Sequence, residues 1–126
     1  MHIEPTADQL RALAQADPDH PVVMLNLLRF RPGGGADSYR RYGESVVPIL
    51  TAIGARVVWQ GTAEQVVIGD PDGDLWHQVL LVEYPSPQAF LDMVRSADYQ
   101  AVAHLRSEGL ADSRLVACRS ASPPAG

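Results

Sequence analysis

An α+β domain built on a four-stranded antiparallel sheet is predicted by three features of the sequence. Four short apolar runs that read as strands alternate with stretches whose apolar residues recur at helical spacing. After one leading helix the order is strand, helix, strand, strand, helix, strand. That βαββαβ order is the ferredoxin-like split plan, with the helices on one face of the sheet. The 126 residues suffice for one core and not for two, so a single domain is expected. It divides into an N-terminal helix and turn (1–20), the ferredoxin-like core (21–119) and a flexible tail (120–126).

The leading helix spans residues 6 to 16, with Thr6 as N-cap, Gln9 completing a capping box, and Leu10, Leu13 and Ala14 on its apolar side. It reads as a lid or an edge cover. The DPDHP turn then stops it. Val22 to Phe30 is a strand with both faces mostly apolar: Val22, Met24, Leu28 and Phe30 on one, Val23, Leu25 and Leu27 on the other. Arg31 to Asp37, with three consecutive glycines, is expected as a mobile loop. A helix follows from Ser38 to Ile53, with Tyr39, Tyr42, Val46, Ile49, Leu50 and Ile53 on one stripe and Gly54 as the stop. Pro48 is expected to kink it.

Arg56 to Ile68 is too long for one straight strand, and Gly61 marks the expected bend or bulge. GDPDGD (69–74) is turn chemistry, and Leu75 to Tyr84 is the third strand. Ser86 then offers an N-cap with Pro87 at the first helical position, and Phe90, Met93, Val94 and Ala97 recur at helical spacing. Ser96 restarts the pattern as a second cap before Tyr99, Val102 and Leu105. Arg114 to Arg119 is the fourth strand. An apolar second sheet face in a chain this small is most economically covered by another copy, so a homodimer packed sheet to sheet is expected.

Composition excludes several function classes. All ten basic residues are arginine, so a lysine Schiff base, a pyridoxal anchor and a Walker-type phosphate lysine are ruled out. A net charge of −5 argues against nucleic acid as a partner. No apolar run approaches the ~20 residues of a membrane span and no signal pattern opens the chain, so the expectation is a cytoplasmic protein that does not bind membranes. The lone Cys118, in the apolar run RLVAC, reads as a buried, inert thiol. No metal-ligand spacing is present, so no metal is expected.

The candidate site residues come from polar groups on apolar elements. Asn26 lies inside VVMLNLL, where its amide must find partners: either neighbouring backbone, or a ligand in a pocket toward which it acts as a donor. Tyr39, Tyr42, Trp59 and Tyr99 read either as core or as the walls of an apolar cavity with polar tips. His104 reads as a surface helix histidine or a functional one, and His77, beside Trp76, as a core, interface or proton-moving histidine. The glycine run with Arg29, Arg31, Arg40 and Arg41 is either a solvated loop or a carboxylate site at a helix N-terminus.

PVVMLNLLRF, the tyrosine-bearing first core helix, the bent second strand and VEYPSPQAFLDMVRSADYQAVAHLR resemble the dimeric α/β-barrel family called domain of unknown function 1330, over about residues 21 to 119. The resemblance implies a ferredoxin-like subunit whose sheet joins that of its mate into a barrel, with a pocket between sheet and helices. It implies no reaction. The haem-degrading monooxygenases of the same superfamily are similar in a strand asparagine, here Asn26, and in a histidine after an S-x-Q-A-F segment, here SPQAF and His104. Met93 stands where those proteins carry tryptophan. On that comparison His104 would be the axial ligand of a haem.

Three functions are therefore carried forward. The leading one is a dimer binding a small apolar or aromatic metabolite, with no cofactor, as a cofactor-independent oxygenase or isomerase. In that reading Asn26 stabilises an oxyanion, His104 or His77 moves a proton, and Tyr39, Tyr42, Trp59, Met93 and Tyr99 position the substrate. The second is haem binding through His104. The third is a non-catalytic dimeric binding module, and whether any reaction occurs stays open.

Overall fold

The computed structural model describes residues 1–121; of the expected tail, 122–126 lie outside the described residues. The elements are α1 (Ala7–Ala14), β1 (Val22–Phe30), α2 (Gly35–Ala52), β2 (Arg56–Thr62), β3 (Gln78–Tyr84), α3 (Pro87–Arg95), α4 (Ala97–Gly109) and β4 (Leu110–Cys118). The strands form one antiparallel sheet in the order β2-β3-β1-β4, as the split plan requires. Because side chains alternate along a strand, Val22, Met24, Asn26 and Leu28 share one face, and Val23, Leu25 and Leu27 the other. The first face meets the helices. Its core includes Met24, Leu28, Leu80, Val82, Leu50, Phe90, Leu91, Leu105 and Leu110, all buried.

The helix starts follow from their caps. Thr6 Oγ1 accepts the Gln9 N–H at 3.1 Å and Gln9 Oε1 accepts the Thr6 N–H at 2.9 Å, completing the expected capping box. Ser86 caps α3 through the Ala89 N–H at 3.1 Å, and Ser96 caps α4 through the Tyr99 N–H at 3.2 Å.

Several boundaries differ from expectation, each for a tertiary reason. The loop after β1 is shorter, since α2 begins at Gly35 rather than Ser38. A β-carbon on Gly35 would lie 2.6 Å from the Gly109 carbonyl oxygen, and one on Gly109 2.7 Å from that of Gly35. These two glycines let α2 and α4 touch backbone to backbone, so α4 runs on to Gly109 and passes directly into β4 at Leu110, four residues before the expected Arg114. The helix α2 continues through Pro48 as one element.

In β2 the register shifts between Val57 and Trp59, so the bulge sits there and not at Gly61, which pairs with Val79. Gly61 instead makes room for the Trp59 indole, whose atoms would lie 2.8 Å from an added β-carbon. The strand ends at Thr62. Likewise β3 starts at Gln78 and leaves His77 outside it. Cys118 is half-buried at the end of β4 rather than buried.

The N-terminal arm is tied across the sheet end. Asp112 Oδ1 accepts the backbone N–H of His2 at 2.9 Å and of Ser113 at 2.9 Å, and pairs with Arg114 at 2.8 Å. The His2 amide first, then Arg114 and the Ser113 amide, holds this carboxyl down at about 2 from an ordinary 3.8. A depressed carboxyl stabilises the fold above its unfolded value, and that contribution disappears as the pH falls from about 4 toward 2. The urea midpoint of the wild type should therefore fall across that window relative to Asp112→Asn; parallel curves would contradict the role given to Asp112.

Candidate functional site

The sheet face that carries Asn26 does not close fully against the helices. Between them lies a cleft of about 1510 Å³, bordered by β1, β3, α2, α3, α4 and the N-terminal arm with α1. Ile3, Leu10 and Leu13 pack against the core beside it, so α1 is the cover the sequence suggests. Phe30, Val46, Leu80, Phe90 and Met93 supply apolar wall.

All four tyrosines line this cleft. Tyr39 and Tyr42 are a turn apart on α2, with ring centroids 5.3 Å apart, and Tyr42 meets Tyr99 of α4 edge to face at 6.2 Å. The Tyr42 and Tyr99 hydroxyls are 3.0 Å apart, so one donates to the other. Tyr84, at the end of β3, packs on Phe90. Burial pushes the Tyr39 phenol up to about 12 and raises Tyr42 and Tyr84 further; neighbouring phenols add to the shift at all three positions, and Arg106 opposes it. These hydroxyls stay protonated at neutral pH and act as hydrogen-bond donors and acceptors, not as bases.

Ionising them favours the unfolded chain, whose tyrosines titrate near 10, so stability falls as the pH rises above 10. In an alkaline titration the phenolate absorbance of Tyr39, Tyr42 and Tyr84 should rise only together with loss of the circular dichroism signal. Reversible titration of every tyrosine near pH 10 in an intact fold would show that the phenols are not buried.

Asn26 is half-buried at the cleft wall. Its Nδ2 donates to the carbonyls of Met24 (3.2 Å) and Leu80 (3.4 Å). The backbone thus takes the amide's donors, one of the two alternatives the sequence leaves open for Asn26, and Oδ1 accepts no hydrogen bond among the described residues. The hydroxyls of the Tyr42–Tyr99 pair are the other polar groups that α2 and α4 present together at this cleft. His104 lines the cleft from the exposed side of α4, and Met93 from α3.

Two expected site residues lie elsewhere. His77 Nδ1 accepts the Phe30 N–H at 2.9 Å and its own N–H donates to Leu28 O, which makes it a peg between the β3 entry and the end of β1. Trp59 pairs with Leu81 on the opposite sheet face and is half exposed, because the bulge after Val57 turns it over. Of the four arginines around the glycine run, three are engaged and Arg41 is exposed: Arg29 donates to Gly73 O, Arg31 to Leu110 O, and Arg40 pairs with Asp37 and Glu44. Among the described residues no group of three or more His, Cys, Asp or Glu side chains is placed to hold a metal ion.

Tyr84 and Arg106, neither expected as a site residue from the sequence, also line the cleft. A signal for Arg106 existed, because it follows Tyr99 by seven positions and so shares its helix stripe.

Fold and cleft together define a ferredoxin-like α+β protein that holds an open space between its sheet and its helices. The chain belongs to the family called domain of unknown function 1330, whose pattern matches residues 35–119. A protein of unknown function from Rhodopseudomonas palustris is 36% identical, with a TM-score of 0.91 over 97% of this chain and 98% of that one. At the level of fold alone, the chain is similar to a dimeric protein of unknown function from Bacteroides fragilis (13% identity, TM-score 0.57, covering 82% of this chain and 100% of that one). It is similar in the same way to a candidate antibiotic biosynthesis monooxygenase from Bacteroides thetaiotaomicron (12% identity, TM-score 0.57, 85% and 95%). No curated protein is significantly similar in sequence. Among the described residues no helix is long and apolar enough to cross a membrane.

Proposed function

We propose that this chain is a homodimeric protein that binds a small apolar or aromatic metabolite in the cleft. The observation that carries this reading is the hydrogen-bonded Tyr42–Tyr99 pair at the wall of a space of about 1510 Å³ whose lining is more apolar than polar. Apolar walls with a few convergent polar tips suit a ring bearing an oxygen substituent. The chemistry this arrangement favours is isomerisation, or oxygenation by dioxygen without a cofactor. The phenol pair donates to oxygen that gains charge, and His104 at the rim carries a proton.

Gly43 provides the test. It lines the cleft from the middle of α2, and a β-carbon there meets nothing within 4 Å. Gly43→Ala should stabilise the helix by about 0.5–1 kcal/mol. Gly43→Phe should fold equally well yet weaken calorimetric binding of 2-naphthol at least about tenfold by filling the space. Unchanged binding in Gly43→Phe would remove the cleft from consideration.

Dimerisation is supported by the other sheet face. Val23, Leu25, Leu27, Val79 and Leu81 form its half-buried centre, Trp59 and Val116 are exposed around it, and Val67 and Ile68 stand bare on the adjoining loop. A partner sheet laid on this surface would bury it.

A second reading is favoured by one observation: His104 borders the cleft and makes no hydrogen bond among the described residues. There it would hold a haem as axial ligand. A hemin titration should then give a saturable Soret shift that His104→Ala loses; a shift indifferent to His104 would dismiss haem.

A further inference from the structure

We infer that the ligand of the cleft is an acid, and that Arg106 receives its carboxylate. The inference rests on the cleft being the binding site proposed above, and it names the class of molecule bound there. Arg106 projects from the last turn of α4 and is half-buried at the cleft wall. Its Nη1 donates to the Ile3 carbonyl at 2.7 Å. Among the described residues Nε and Nη2 donate to nothing, and no carboxylate lies within 4.0 Å of the guanidinium. The nearby Glu4 is taken up by the Ser107 hydroxyl at 2.8 Å instead.

A guanidinium drawn partly out of water costs free energy unless an anion meets it. Of the other cleft arginines, Arg40 has Asp37 and Glu44, Arg114 has Asp112, and Arg95 stands exposed to water, where its charge needs no partner. The bond to Ile3 O uses one Nη and leaves free the Nε–Nη2 edge, the side of the fork that binds a carboxylate in two parallel hydrogen bonds. Arg106 follows Tyr99 by two turns of α4 and lines the same cleft as all four tyrosines, and its charge opposes the upward shift of Tyr39, Tyr42 and Tyr84. An aromatic or apolar carboxylic acid thus satisfies what the cleft presents: ring against Phe30, Phe90 and Met93, and carboxylate on Arg106.

A matched pair of probes tests this, 2-naphthoate and its neutral amide 2-naphthamide, titrated by calorimetry into the wild type, Arg106→Gln and Arg106→Lys. The wild type should bind the acid at least about tenfold more tightly than the amide, the difference expected of a charge-assisted bidentate contact. Arg106→Gln should erase that preference while leaving amide binding unchanged, and Arg106→Lys should keep part of it. Equal binding of both probes by the wild type would overturn the role of Arg106 and leave the cleft reading intact. Absence of binding by either probe would overturn both.

Discussion

Gly109→Ala is expected to destabilise the protein by about 3 kcal/mol or more, a large effect for adding one methyl group. The new β-carbon would lie 2.7 Å from the Gly35 carbonyl oxygen, 3.0 Å from the Tyr39 nitrogen and 3.3 Å from the Tyr39 β-carbon. All of these belong to the first turns of α2, or to a side chain where it leaves the backbone, so no flexible tip can swing aside. Relief requires α2 and α4 to separate. Separation costs more than packing, since the Tyr42–Tyr99 hydrogen bond spans the same pair of helices. Urea denaturation measures the loss, and the variant should also bind 2-naphthol more weakly. Gly109→Ala with wild-type stability would show that the helices do not approach as described. Gly43→Ala, on the same helix but facing open space, should change stability in the opposite direction.

The second large effect concerns the outer sheet face. Leu25 and Leu81 are paired across β1 and β3 at its centre. Leu81→Asp places a carboxylate in the middle of the proposed interface, and does so once from each subunit. Burying an unpaired charge costs several kcal/mol, so the dissociation constant of the dimer should rise by at least about a hundredfold. Leu81 is only half-buried in the isolated subunit, so the fold itself should survive. Sedimentation velocity at micromolar concentration should find dimers for the wild type and monomers for Leu81→Asp. A wild type that sediments as one chain would dispose of the dimer.

What the sequence disclosed is what local chemistry decides. The caps at Thr6, Ser86 and Ser96 depend on residues three positions away, and each forms as expected. The double apolar character of Val22 to Phe30 marks a central strand, and β1 does pair on both sides. Boundaries were missed where distant backbone sets them. Gly35 and Gly109 are far apart in sequence, and nothing local tells that they touch.

The same division runs through the site. Asn26, Tyr39, Tyr42, Met93, Tyr99 and His104 all reach the cleft, because periodicity alone places them on faces turned toward it. Trp59 does not, because one bulge residue reverses the alternation that would have grouped it with Val57. His77 does not, because the end of β1 captures its ring. The Asn26 N–H groups are taken by two carbonyls, of which that of Leu80 is supplied only by the sheet register.

The central claim is that the space between sheet and helices is where this protein meets its ligand. Side-chain chemical-shift mapping by NMR during titration with 2-naphthol tests it most directly, because side chains alternate between the two sheet faces along the same strands. Shifts at Asn26, Tyr42, Tyr99 and Met93, with Leu25, Leu81 and Trp59 undisturbed, are the predicted result. Shifts confined to Leu25, Leu81 and Trp59, or none at saturating ligand, would contradict it.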